Sequence, residues 1–493
     1  MTKDPLRGGR LGDSRPSEVW DYLSSMEADR FIGKADVSVD IAHLLMLSRQ
    51  EIIDQESAKK IMNVLLKLHD NGLPDSVYDE KFEDVHAGIE AYIIDKIGID
   101  SGGRLHMGRS RNDEVATCVR IRLREEILDL MSDVAILRSI FCGFAKDNTD
   151  IYMPGFTHLQ HAQPTTVAHY LMNYEQAFKR DFERLGDAYL RVDQCPLGAA
   201  AFASTGYPID REYTSDLLGF GGVLENTMDC VAGRDFALEV ISDCAILMNN
   251  ISRLCEEIIF WSSSFVSFVI LADEYCSTSS IMPQKKNPDC AEIMRAKAGS
   301  VSGCQMAAFS IIKNLPMSYN RDMQELWPHL WKAIVDTKVS IKILNGMIRT
   351  AHINRRRMAE EAVKGNTTAT ELADILVREY GLAFRTAHNI VGRAVRIGKL
   401  DLKTLEMSAK EMAGISLVDL GLTEEAVADG LEVSTSVNVR KATGGPSPQA
   451  VMANIMRSEA AYADDLEWIR GLKMYLHSSE KHMIEKAREM VQE

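Results

Sequence analysis

The chain has 493 residues, 46% of them hydrophobic, a formal net charge of −15 and a pI near 5.4. Its length exceeds one ordinary core, so two or three domains are expected, and its acidity argues against a general binder of nucleic acid or anionic membranes. Nine cysteines, an odd number with no C-x-x-C pair, suggest neither a disulfide framework nor a thiolate metal site and point to a reducing, cytoplasmic setting.

In chain order, residues 1–13 are polar and Gly/Arg-rich, without the apolar centre of a signal peptide. Residues 98–112 are rich in Gly, Ser and Arg and separate an N-terminal helical region from longer helices. That stretch leads into His106-Met107-Gly108-Arg109-Ser110-Arg111-Asn112. Arg109 and Arg111 could clamp a carboxylate with their rigid forks, or stand solvated beside a capped helix start. From Leu123 the apolar positions Ile127, Leu130, Val134, Leu137, Phe141 and Phe144 follow in steps of three and four. This is the seam of a long packed helix. A polar cluster then carries Thr157, His158 and Gln163. His158 has the side chain for a general acid or base, or is simply hydrogen-bonded. Pro164-Thr165-Thr166 predicts a helix to about Val192.

A second stripe runs Val240, Cys244, Leu247, Ile251, Leu254, Ile258, Trp261, Phe265, Phe268, and no Gly or Pro lies between Arg234 and Met282. One helix could cover most of that span. Thirty residues of helix would extend about 45 Å, a length that suggests a bundle shared between subunits. The β-branched run 265–271 is the one place where strand competes with helix. The most apolar window, 258–272, is broken by three serines and is too short to cross a bilayer.

The segment 279–289 reads Ser-Ser-Ile-Met-Pro-Gln-Lys-Lys-Asn-Pro-Asp. Asn287 before Pro288 predicts an N-cap, with a helix to about Ser302. A loop ending on a helix N-terminus with Lys285 and Lys286 is suited to hold negative charge, or is a solvated loop before a capped helix. Downstream, Tyr319-Asn320-Arg321-Asp322-Met323-Gln324 is a binding edge or a helix start. Thr368 and Glu371 have capping-box spacing, and a turn at 443–448 opens the last helical segment. Three regions are expected: 1–110, 111–364 and 365–493. No dinucleotide or Walker loop, zinc spacing or nucleophile elbow is present, which places metal hydrolysis and esterase chemistry low.

Together these clusters resemble the aspartase/fumarase superfamily, through SSIMPQKKNPD. Within it they resemble the argininosuccinate lyase branch, through GRSRNDEVAT, MPGFTHLQHAQPTT, ENTMD with RDF, YNRDMQE and TGGPSPQAV. The resemblance spans residues 25–451 in order. It implies an all-α, three-domain subunit whose long central helices form a homotetrameric bundle, with active sites shared between subunits and no cofactor or metal. It implies abstraction of a proton beside a succinyl carboxylate, an aci-carboxylate dianion, and loss of arginine to leave fumarate. By the same resemblance Ser279 is the base, Lys285 and Asn287 stabilise the dianion, and His158 is the other proton-transfer residue. Substrate contacts carry over to Ser25, Arg111, Asn112, Thr157, Gln163, Tyr319 and Gln324. The chain departs from the common pattern at Met107, Glu114, Ala232, Gly233 and Thr278. It also has Trp327 where a substrate-binding Lys is frequent. Two other readings stay open at this point: a lyase releasing fumarate from another N-succinyl amine, and a non-catalytic, crystallin-like member.

Overall fold

The computed structural model describes residues 16–492, so the expectation for residues 1–13 lies outside it. The chain is all-α, 70% helix and 5% strand. An N-terminal layer contains α1 (Gly33–Arg49), α2 (Gln55–Asn71) and α3 (Val85–Ile97). Asp54 caps α2 by accepting from the Ser57 amide, and Asp84 caps α3 by accepting from Ala87.

The centre is built on α4 (Arg111–Lys146), α5 (Val167–Val192), α6 (Asp235–Ser262), α7 (Asp289–Ile312) and α8 (Leu326–Thr350), which pack on one another. The α4 stripe is buried from Leu123 to Phe141, with Phe144 half-buried. The stripe on α6 is buried from Val240 to Trp261 and stops there: Phe265 is 89% exposed. Serine ends this helix. The hydroxyls of Ser262 and Ser263 donate to the carbonyls of Ile259 and Phe260 at 3.2 and 2.7 Å. They satisfy the free C-terminal acceptors, and the chain turns away. One helix of 28 residues thus covers most of the span from Arg234 to Met282, as expected, and a loop takes the rest.

Two further departures concern helix caps. Asn287 does not cap α7: Pro288 holds the N-cap position and makes no side-chain cap bond, while Asn287 lies in a strand. Nor does Thr368 form a capping box, because Glu371 is buried against Arg378 and Arg440 at 2.9 and 3.1 Å.

Between α4 and α5 the chain forms an antiparallel hairpin, β1 (Tyr152–Thr157) and β2 (Gln160–Thr166). The helix read from Pro164 thus begins at Val167. Two short pairs complete the strands: β3 (Val269–Ile270) with β6 (His352–Ile353), and β4 (Ser277–Thr278) with β5 (Lys286–Asn287). Residues between 369 and 431 form a small apolar core of their own around Leu372, Ile390, Leu405 and Val427. A final helix, α9 (Pro448–Gln492), returns to pack on α1, α2, α4 and α5. Among the described residues no helix is long and apolar enough to cross a membrane. All nine cysteines are free thiols.

Candidate active site

The candidate residues fall into three groups at two ends of the bundle. The first group gathers at the N-terminus of α4. Ser110 and Asp113 form a reciprocal capping box there. The second oxygen of Asp113 accepts from the Gly198 and Ala200 amides at 2.9 and 2.8 Å. Asn112 donates to the Ala201 carbonyl at 2.9 Å, so this end of α4 is fixed to the 198–201 loop. Arg111 donates to Asp84 at 3.0 Å. The Ser25 hydroxyl donates to Asp29 at 2.6 Å, and Gln324 donates to the Leu23 carbonyl at 3.0 Å. The Tyr319 phenol, held above its usual pKa mainly by burial, lies within electrostatic reach of Arg321, Arg234, Asp84 and Asp29. Burial also pushes Asp29 up to about 6, against the pull of His86 and Ser25. Ser25, Arg111, Tyr319 and Gln324 thus converge within one chain.

Arg109 does not join them. It is buried against Asp40 at 2.5 Å and Glu114 at 2.9 Å, beside an ion pair of His86 with Asp36 at 2.8 Å. The expected carboxylate fork is instead a structural cation, and Glu114, one of the departures from the common pattern, is one of its partners.

The second group sits on the β1–β2 hairpin. Its two-residue turn is His158 and Leu159, both at positive φ, 56° and 57°. Positive φ at both central positions is the signature of the turn whose twist matches a hairpin, yet neither residue is the Gly or Asn that adopts it readily. The strain sets His158 at an exposed tip, beside Thr157. A bulge after Pro154 brings Gly155 so near Gln163 that a Cβ there would meet the Gln163 carbonyl at 2.4 Å.

The third group lies on the loop joining β4 to β5. The pairing of Thr278 with Lys286, and of Ser277 with Asn287, leaves 279–285 as a closed loop with Ser279 and Lys285 at its two feet. The Ser279 oxygen accepts from the Ile281 and Met282 amides at 3.2 and 3.0 Å. Lys286 is engaged with Asp273 and the Leu271 carbonyl, both at 2.6 Å, whereas Lys285 points into the open.

Helix lengths set the distance between these groups. Arg111 begins α4, and the hairpin starts six residues after its other end; 36 residues of helix span about 54 Å. Arg234, at the start of α6, lies with Trp327 and Tyr319 at the Arg111 end. The Ser279 loop follows the far end of α6 and precedes α7. Among the described residues, no hydrogen bond or ion pair links His158, Ser279 or Lys285 with the Arg111 group. Sequence reasoning missed Asp29, Asp84 and Arg234 around Tyr319; the RDF triplet was the available signal for the last.

Residues 15–303 match a family model described as Lyase, and residues 366–438 match one described as Argininosuccinate lyase C-terminal. The chain is 58% identical to the argininosuccinate lyase of Methanoculleus marisnigri over 99% of both chains. It is 53% identical to that of Methanospirillum hungatei over 100% of both. Among solved structures, an EDDS lyase variant with bound fumarate is 30% identical with a TM-score of 0.87, covering 99% of this chain and 98% of that one.

Proposed function

Since the chain belongs to the argininosuccinate lyase family, we propose that it cleaves argininosuccinate to L-arginine and fumarate with Ser279 as the base. The observation that carries this assignment is the pair of backbone amides donating to the Ser279 oxygen. A serine removes a carbon-bound proton only if its alkoxide is stabilised, and two fixed N–H donors in a cation-bearing loop supply that stabilisation. The base takes the proton from the carbon next to the succinyl carboxylate. The electron pair spreads onto that carboxylate as a dianion, which Lys285 and Asn287 stabilise. Collapse of the dianion forms the fumarate double bond and breaks the C–N bond. His158 supplies the proton to the departing guanidino nitrogen, while Thr157 and Gln163 bind beside it. Ser25, Arg111, Asn112, Tyr319 and Gln324 hold the substrate.

Assembly as a homotetramer supports this reading physically. A helix of about 54 Å cannot bring its two ends to one substrate, but neighbouring copies packed side by side can. Exposed apolar residues on the bundle helices, Ile246 and Phe260 on α6, Ile293 and Phe309 on α7, Val335 and Val339 on α8, provide the surface to cover. The three-part division at 110 and 364 and a cytoplasmic location belong to the same proposal. Identities above 50% to argininosuccinate lyases favour this substrate over another N-succinyl amine.

The test is fumarate release from argininosuccinate. Wild-type protein is expected to turn over, and Ser279→Ala to lose roughly a thousandfold in kcat with the fold intact, the scale of a positioned base. Undiminished turnover in that variant would remove Ser279 from the chemistry.

A further inference from the structure

Arg234 is 2% exposed and is the N-cap residue of α6. Its Nη1 donates to the Gly233 carbonyl at 2.8 Å, and its Nε is buried without a partner. No carboxylate pairs with it among the described residues, whereas Arg109, Arg124 and Arg138 each have one; Arg120, also buried without a carboxylate, donates instead to the Arg191 and Val192 carbonyls at 2.8 and 3.2 Å. Burial pushes its pKa down to about 10, and nearby Arg120 pushes the same way, which still leaves the guanidinium charged at neutral pH. A buried cation without a counter-ion is costly unless something negative arrives to share the site.

The surroundings say where that anion would sit. One face of the guanidinium lies 5.3 Å from the Trp327 ring centroid, which restrains its plane and leaves its edges for hydrogen bonding. The Tyr319 phenol is within electrostatic reach of Arg234, and Asp84 and Asp29 are in turn within reach of that phenol. Arg321, the other guanidinium near Tyr319, is already engaged with Glu83 and the Leu23 carbonyl. Tyr319 therefore has carboxylates, Asp84 and Asp29, and a guanidinium without a carboxylate partner, Arg234, all within electrostatic reach. That is the complement of an α-amino-acid head group, an ammonium and a carboxylate on one carbon.

We propose that Arg234 is a specificity-determining residue that receives the α-carboxylate of the arginine half of the substrate. This rests on the reading of the chain as an argininosuccinate lyase. The succinyl end goes to the Ser279 loop, so Arg234 distinguishes an α-amino acid from a plain alkylguanidine.

Calorimetric binding of arginine, agmatine (the same guanidine without the carboxylate) and fumarate to the full-length protein tests it, with argininosuccinate cleavage measured alongside. Wild-type protein is expected to prefer arginine to agmatine by roughly a hundredfold, the scale of a charge-assisted bidentate contact. In Arg234→Met the two ligands should bind alike, with fumarate unaffected. Arg234→Lys, which keeps the charge but not the fork, should lose roughly tenfold for arginine alone. If the Met variant does not fold, the Lys variant decides. Arginine preference surviving in the folded variants, or absent from wild type, overturns the assignment of Arg234. Failure of wild type to cleave argininosuccinate overturns the underlying activity instead.

Discussion

A single side chain in this protein takes its role from what surrounds it more than from its type. Arg109 and Arg111 are two residues apart and alike in sequence, yet one is buried between Asp40 and Glu114 while the other reaches Asp84 beside Tyr319. Position in the motif was legible; the fate of each guanidinium was not, because the partners that separate them, Asp40 for Arg109 and Asp84 for Arg111, are distant in sequence. The buried group around Arg109 also carries a pH signature. Burial lowers the pKa of His86, but the Asp36 and Glu114 carboxylates more than offset this and bring it to about 10, above the ordinary 6.5. Glu114, raised chiefly by burial, titrates near 8. Both groups hold protons more tightly folded than unfolded. The stabilisation from His86 is complete below pH 6.5 and is lost as pH rises through about 10. The unfolding free energy measured in urea should therefore fall between those limits, by about a few kcal/mol at most, and His86→Gln should flatten the decline.

At the scale of the element, the existence and type of the long helices could be read, their ends less well. A burial period of 3.6 is written in side chains whatever else the chain does. α5 ends at Val192, where the sequence placed its end, although α7 runs ten residues past the expected Ser302. The hairpin that carries His158 was not legible as strand. Its turn lacks Gly or Asn, its strands contain Pro154 and Pro164 opposite one another, and its polar residues read as loop. What shapes it is Gly155, at the bulge. Gly155→Ala should force the Gln163 backbone away and tilt the tip. A displacement near 1 Å costs about a hundredfold in rate, so kcat should fall by that order. The global unfolding midpoint should change little, because the clash falls on the Gln163 backbone and leaves the Met153 side chain in the main core.

The whole molecule is governed by the separation of its working parts. His158 and Ser279 lie at one end of the bundle and Arg111 and Tyr319 at the other, and under the assembly proposed above a lone subunit holds pieces of sites and no complete one. Copies of Ser279→Ala and of His158→Asn should each be inactive, Asn being chosen because it tolerates the positive φ. Unfolded together and refolded as a mixture, they should recover part of the activity, since some sites then draw both intact residues from different copies. Recovery absent from mixed tetramers, with assembly checked by sedimentation, would mean that each site lies within one chain. The helix α9 has a bearing on how such a subunit comes into being. Ile469, Met483, Ile484 and Ala487, among the last residues of the chain, are buried in the same core as α1 and α2 near its beginning. α9 follows α1 and α2 in sequence only after the whole central bundle, so the apolar face it covers stays open until α9 itself has been made, and this part of the core closes late.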